Sequence, residues 1–168
     1  MPRLLAQRAD AAYNCISTFR EAAGRRFQEG GVLRQQRQWT SAIYLMGYTV
    51  ELAVKSAVLT VDGFSPRQPV TLQDLRRLVA FGRAQYGLPQ PRNLHDYTFW
   101  SLFLVQHRVA RARPYGIPGT GQEIIRRSHE TYCRWRETLR YRINNPYGHE
   151  VARVYDNAQW FLTKIDIL

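Results

Sequence analysis

Lysine is nearly absent from this chain. Of 24 basic residues in 168, only Lys55 and Lys164 are lysines, and the rest are arginines. Cysteine is scarce as well. Cys15 and Cys133 stand far apart with no CxxC pair. That spacing excludes a disulfide framework or a cysteine zinc ribbon, so two reduced, buried thiols are expected. Long apolar runs are missing too. The longest uncharged stretch in the middle of the chain, Gln38 to Val50, is 13 residues, short of the ~20 that a bilayer-crossing helix needs. No membrane association is expected. The opening MPRLLAQRAD has no apolar signal region, which makes the cytoplasm the expected location. No repeat, low-complexity tract or linker interrupts the sequence.

What is present is a core-forming composition. Hydrophobic residues make up 45%, with four Trp, seven Phe and ten Tyr, far from a disordered profile. The length fits one domain over residues 1–168 with a core of its own. The net charge is +11. Arginine presents a planar fork that matches phosphate two bonds at a time. A domain this basic is suited to RNA, DNA, nucleotides or an acidic protein. The competing reading is a solvated basic surface.

Apolar residues recur with a 3.6-residue period and rarely alternate, so an all-α, single-domain bundle of about five to six helices is expected. The first helix is predicted from about Arg3 to Glu29, ended by Gly30-Gly31. The second runs from about Leu33 to Val61 and is apolar on most sides, which makes it the central helix. Thr71 and Asp74 form a capping pair that opens a third. A fourth covers about Leu94 to Ala110. A fifth starts at Thr120, with Glu123 at capping-box spacing, and runs to about Tyr141. Asn145-Pro146 places a cap before a proline at the first helical position, so the last helix starts at Pro146. Tyr147, Val151, Val154, Ala158, Phe161 and Ile165 line its core face.

Several chemistries fall away. GIPGTGQE has P-loop-like glycines, but Gln122 and Glu123 stand where the lysine and hydroxyl belong. The histidines, His95, His107, His129 and His149, do not pair with each other or with cysteine at metal-ligand spacing. No metal and no cofactor are expected. No GxSxG elbow marks a serine nucleophile.

Two polar constellations remain. On the second helix Tyr44, Tyr48, Glu51 and Lys55 share a stripe within about 60°, opposite the Trp39/Val50 face. The stripe reads either as a salt bridge with packed tyrosines on a helix flank, or as a polar face turned to a ligand. On the fifth helix His129, Arg136 and Arg140 cluster beside Cys133. Between Arg108 and Arg142 there are nine arginines and three acids, so the most positive surface is expected there. An i,i+4 pair between Glu130 and Arg134 would neutralise part of it.

LRYRINNPYGHE, Leu139 to Glu150, raises the question of catalysis. On the last helix His149 falls about 200° from Tyr147, away from the apolar face. It lies in the first turn, where the helix terminus favours an anion. Arg140 and Arg142 approach from across the loop. A histidine near neutral pKa can move the proton of a 2′-hydroxyl, and an arginine can stabilise the charge on phosphorus. That is a metal-independent route to RNA cleavage.

AIYLMGYTVELAVKSAVL (Ala42 to Leu59), NLHDY and WRETLRYR resemble the HEPN domain (higher eukaryotes and prokaryotes nucleotide-binding). The likeness covers roughly Gly31 to Leu168. It implies an up-and-down helical core, a homodimer, RNA or nucleotide as ligand, and a setting in toxin–antitoxin, anti-phage or RNA-processing systems. A nucleotidyltransferase or another protein is the partner class it implies. Many members are RNases with an arginine, four to six residues, then a histidine. Arg142 and His149 fit with six between them. Arg140-Tyr141 offers a second alignment with eight, in which the histidine is incidental. Two readings follow. One is an endoribonuclease with His149 as acid/base and Arg142 or Arg140 on the phosphate. The other is a non-catalytic module that holds a nucleotide or acidic partner with Tyr48, Glu51, Lys55, His129 and Arg136.

Overall fold

The computed structural model describes residues 14–136, 138–139 and 146–168. These residues form six helices and no strand: α1 (Ile16–Gln35), α2 (Trp39–Asp62), α3 (Leu72–Tyr86), α4 (Tyr97–Ala110), α5 (Thr120–Arg134) and α6 (Gly148–Thr163). The all-α expectation holds. α2 is central and packs on α1, α4, α5 and α6. Ile43, Met46, Val50, Val54 and Val58 are sealed from solvent. A helix apolar on most faces must be covered on most faces. By length and composition α2 could cross a membrane, although its longest uncharged run is short. Here 78% of its most apolar window is buried inside the fold.

The helix ends differ from the expected ones for local reasons. The first predicted helix opened at Arg3, and residues 1–13 lie outside the described residues. Cys15 is extended, at φ −150°, and caps α1 at Ile16. The predicted stop at Gly30-Gly31 does not occur. Gly30 is a contact point instead: a Cβ there would lie 3.0 Å from Met46 Cγ and 3.3 Å from the Ala42 carbonyl. Its missing side chain lets α1 and α2 approach closely. The turn falls later, at Arg37 with φ 60°, so α2 opens at Trp39 rather than Leu33.

The capping pair at α3 forms as expected. Asp74 N donates to Thr71 Oγ1 at 3.2 Å and Thr71 N donates to Asp74 Oδ2 at 2.9 Å. The Thr71 hydroxyl also donates to Asp74 Oδ2, at 2.7 Å, and this bond, then the one from Thr71 N, holds the Asp74 carboxyl below its ordinary value. At α5 the cap is Gly119, at φ 83°. Thr120 is helical and donates its hydroxyl to the Ile117 carbonyl at 2.8 Å. α5 stops at Arg134, well before the expected Tyr141, which lies outside the described residues. Trp135 turns extended there and buries its indole against α2. α6 opens at Gly148 rather than Pro146. Tyr147 is the cap residue, and its N–H donates to Glu150 Oε2 at 2.8 Å. Tyr147, expected on the core face, is 72% exposed, while Val151, Val154, Ala158 and Phe161 are buried.

Two further expectations are corrected. Cys15 is buried, but Cys133 lies exposed on the outer flank of α5. The Glu130/Arg134 pair is replaced by another arrangement. Arg134 Nη1 donates to the Glu130 carbonyl at 2.7 Å, and the Glu130 carboxylate pairs with Arg126. Arg126 and Arg127 both reach Glu123 at 2.8 Å. The bonds from Arg126, then Arg127, pull the Glu123 carboxyl down to about 2 from its ordinary 4.5. A depressed carboxyl stabilises the fold above its unfolded value, and the gain fades as pH falls through the folded one. Glu123→Gln is therefore expected to cost about 0.5 kcal/mol near pH 7, small because the group is solvent-screened. Urea midpoints of the two proteins should converge between about pH 4.5 and pH 2. A gap that persists at pH 2 would rule the ion pairs out as its source.

Candidate functional site

The polar stripe of α2 becomes a buried charge cluster. Glu51 and Lys55 are 2% and 5% exposed, although their sequence pattern allowed a salt bridge on a helix flank. Lys55 Nζ lies 2.5 Å from Glu51 Oε1. Across from it, His95 Nδ1 lies 2.9 Å from Glu51 Oε1 and 3.1 Å from Oε2. One carboxylate therefore bridges an ammonium and an imidazole. Burying charges in this way is tolerable only when each is paired and hydrogen-bonded. The Lys55 ammonium also sits 5.8 Å from the centre of the Trp100 ring. The His95 side chain keeps 43% of its surface open, so the cluster has one partly exposed member.

The loop that carries His95, residues 87–96, is tied down by its own side chains. Asp96 caps α4 by accepting from Phe99 N at 3.4 Å, and its other oxygen accepts from Arg92 N at 3.2 Å. Thr98 donates its hydroxyl to the same carboxylate. Asn93 Oδ1 accepts from His95 N at 2.8 Å. Trp100 Nε1 donates to the Leu94 carbonyl at 3.0 Å. Polar side chains that bond neighbouring backbone groups fix a loop without secondary structure.

Aromatic rings frame the imidazole. Tyr48 meets His95 edge-on at 6.1 Å, Trp135 at 5.2 Å and Tyr44 at 5.0 Å between centroids. The Tyr44 and Tyr48 hydroxyls are 3.3 Å apart. Trp135 is fully buried, and its indole N–H donates to the Tyr44 carbonyl at 2.9 Å. It fits because position 47 is glycine: a Cβ there would lie 2.0 Å from Trp135 Cδ1. Tyr97 packs between Tyr132 and Trp135. Its buried hydroxyl has no hydrogen-bond partner among the described residues. Burial, reinforced by the Glu51 charge, raises the Tyr97 phenol well above its ordinary value, so it stays a neutral hydroxyl. The Arg136 guanidinium lies 3.7 Å over the Tyr132 ring, and Arg136 Nη1 donates to the Trp135 carbonyl at 2.8 Å.

Of the residues expected in the site, Tyr48, Glu51 and Lys55 come together, and Arg136 lies against Tyr132, which packs on Tyr97 and Trp135. Glu51 and Lys55 are sealed from solvent, so the partly open His95 is the cluster's contact with it. His129 has another neighbour: both its ring nitrogens are 3.8 Å from Cys133 Sγ. His149 is exposed in the first turn of α6, away from the core as its helical phase requires. Its ring lies parallel to Tyr147 with centroids 5.7 Å apart. Arg140 and Arg142 lie outside the described residues. Among the described residues no group of three His, Cys, Asp or Glu could hold a metal ion.

Sequence reasoning missed His95, Tyr97 and Trp135 as site residues. NLHDY was visible as a segment of interest, but nothing in it identified Glu51 as its partner, 44 positions earlier. A second cluster was also invisible. His107, fully buried in α4, accepts from or donates to the Tyr86 hydroxyl at 2.8 Å, and its Nε2 lies 3.2 Å from Asp62 Oδ1 without hydrogen-bond alignment. Arg77 and Arg111 reach the same carboxylate at 3.4 and 3.7 Å. Burial lowers the His107 pKa despite the Asp62 charge. A neutral, sealed imidazole of this kind ties α2, α3 and α4 together.

Comparison with family models, with curated proteins and with solved structures gave no match.

Proposed function

We propose that this chain is a HEPN-like RNA- or nucleotide-binding domain whose chemistry is metal-independent RNA cleavage, in a toxin–antitoxin or anti-phage setting. The observation that carries the reading is the His95–Glu51–Lys55 cluster. A carboxylate on Nδ1 sets the tautomer and orientation of an imidazole and raises its basicity. A partly exposed imidazole held this way is suited to move a proton at a ribose hydroxyl or leaving oxygen. Tyr44 and Tyr48 offer rings for a base to stack on, and Arg136 adds a phosphate-matching fork. His149, exposed at a helix N-terminus, is the second proton-transfer group, with Arg142 or Arg140 on the phosphate. The basic composition supplies the general attraction for a polyanion.

The second reading is a non-catalytic module that holds a nucleotide or a partner protein. The burial of Glu51 and Lys55 favours it, because groups sealed at 2% and 5% exposure act through what they orient. One assay separates the two. Purified protein is incubated with RNA in EDTA beside His95→Ala and His149→Ala. The nuclease reading expects cleavage by wild type and a fall of about 10²–10⁴-fold in at least one variant. Binding of RNA without cleavage by wild type leaves the module. Neither cleavage nor binding of RNA sinks the nuclease reading and leaves the module only a mononucleotide or a partner protein.

A further inference from the structure

A pocket of about 370 Å³ opens between α3 and the far side of the loop that carries His95. Its volume sits at the small end of the range for ligand pockets, about 300–1,000 Å³. Arg76, Val79, Ala80 and Arg83 form the helical wall. The spacing of 76, 79, 80 and 83 puts all four on one face of α3. Gln90, Pro91, Arg92, Asn93 and Leu94 form the other wall. Val79 and Pro91 are buried and Leu94 half-buried, so the floor is apolar.

Three exposed arginines, Arg76, Arg83 and Arg92, therefore line one small cavity. None of their guanidinium groups makes an ion pair, a hydrogen bond or a ring contact among the described residues. Many other arginines in the fold are engaged: Arg20, Arg25, Arg26, Arg77, Arg111, Arg126 and Arg127 pair with carboxylates. Arg34, Arg108 and Arg136 lie over rings. No carboxylate lines the pocket. The two acids nearest in sequence are already used, Asp74 on Thr71 and Asp96 on the backbone of Arg92 and Phe99. Like charges gathered around one cavity repel each other unless an anion enters. The loop wall is pre-ordered by the Asp96, Asn93 and Trp100 bonds described above, so little ordering cost falls on a ligand.

We propose that this pocket binds a phosphate monoester, with the phosphate held by Arg76, Arg83 and Arg92 and a small apolar or ring-shaped body lying on Val79, Pro91 and Leu94. A monoester carries close to two negative charges at neutral pH, and a diester or carboxylate carries one. Three forks match the doubly charged group best, because each fork can take two oxygens. The cavity is too small for a run of backbone. Its ligand is either a free small phosphate or the terminal phosphate of a longer chain. The site is separate from the His95–Glu51 cluster, which faces α2, and it stands whether or not the chain cleaves RNA.

The test is calorimetric titration of the full chain with phenyl phosphate, benzoate and inorganic phosphate. Phenyl phosphate is expected to bind one-to-one and at least tenfold more tightly than benzoate. Arg76→Gln, Arg83→Gln and Arg92→Gln should each weaken it by about tenfold or more. Arg67→Gln, an exposed arginine elsewhere, should leave it unchanged. A 5′-phosphorylated RNA oligonucleotide that binds tenfold better than its 5′-hydroxyl twin assigns the pocket to a chain end. Equal binding of the two, with phenyl phosphate still bound, assigns it to a free small phosphate. No saturable binding of phenyl phosphate at millimolar concentration overturns the proposal. So does equal affinity for benzoate, or an equal loss in Arg67→Gln. Thermal unfolding of each variant without ligand confirms that it folds. His95→Ala serves as the control for the other site and should retain phenyl phosphate binding.

Discussion

Glu51→Leu is expected to destabilise the fold by about 3–5 kcal/mol, because it leaves an ammonium buried without its counter-charge. Lys55 is 5% exposed, and its ammonium would keep the Trp100 ring 5.8 Å away but no paired carboxylate among the described residues. The cost lies in the abandoned partner rather than in the value of the bond itself. The double substitution Glu51→Leu/Lys55→Met removes both charges and keeps most of the volume. It should recover most of the loss, since a well-packed apolar pair is often as stable as a buried ion pair. Urea unfolding of the four proteins in the cycle measures this directly. A loss below about 1 kcal/mol in Glu51→Leu would mean that the cluster is not as dry as its exposure implies. The double variant is also informative about function, because it leaves His95 in place but unoriented. On the nuclease reading, RNA cleavage should fall in it even though stability returns.

Gly47→Ala comes next in size. Alanine normally favours a helix interior over glycine by up to about 1 kcal/mol. Here the new methyl would sit 2.0 Å from Trp135 Cδ1 and 2.2 Å from Cγ, far inside contact distance. Trp135 is fully buried, and its indole N–H is committed to the Tyr44 carbonyl, so the ring cannot step aside without breaking both its packing and its bond. Expelling it approaches the cost of deleting it, about 3–5 kcal/mol for a tryptophan. A net loss of about 2–4 kcal/mol is therefore expected after the helical gain. The decisive comparison is Gly47→Ala in a Trp135→Leu background. There the methyl has room, and the substitution should become neutral or stabilising. Equal losses in both backgrounds would show that the glycine is needed for some reason other than the indole.

How much of this was legible in the residues depends on the range of the forces involved. The helical period marked all six described helices and identified α2 as central, because burial repeats along one element. The Thr71/Asp74 cap was readable for the same reason: donor and acceptor are three residues apart. The end of α1 was not readable. Gly30-Gly31 looks like a stop, and only the nearness of Met46 and Ala42 on another helix shows why it is a contact. The end of α5 was hidden likewise, since Trp135 leaves the helix to reach Gly47. The candidate site divides along the same line. The Tyr44–Lys55 stripe on α2 was visible, but its burial and its bond to His95 depend on a distant loop. The exposure of His149 followed from helical phase alone. Whether Arg140 or Arg142 stands beside it is a matter of residues 140–145, outside the described part of the chain.

The central position of α2 also bears on the order in which the fold assembles. α1 and α2 are neighbours in sequence joined by a turn at 36–38, so their docking closes a short loop at little entropic cost. α6, which covers another face of the same helix, arrives only after α3, α4 and α5 have been laid down. Until α6 docks, the face of α2 that it covers in the finished fold stands open. An apolar helix face left open in a partly folded chain is the kind of surface that associates wrongly, so α6 closes the fold as well as completing its core.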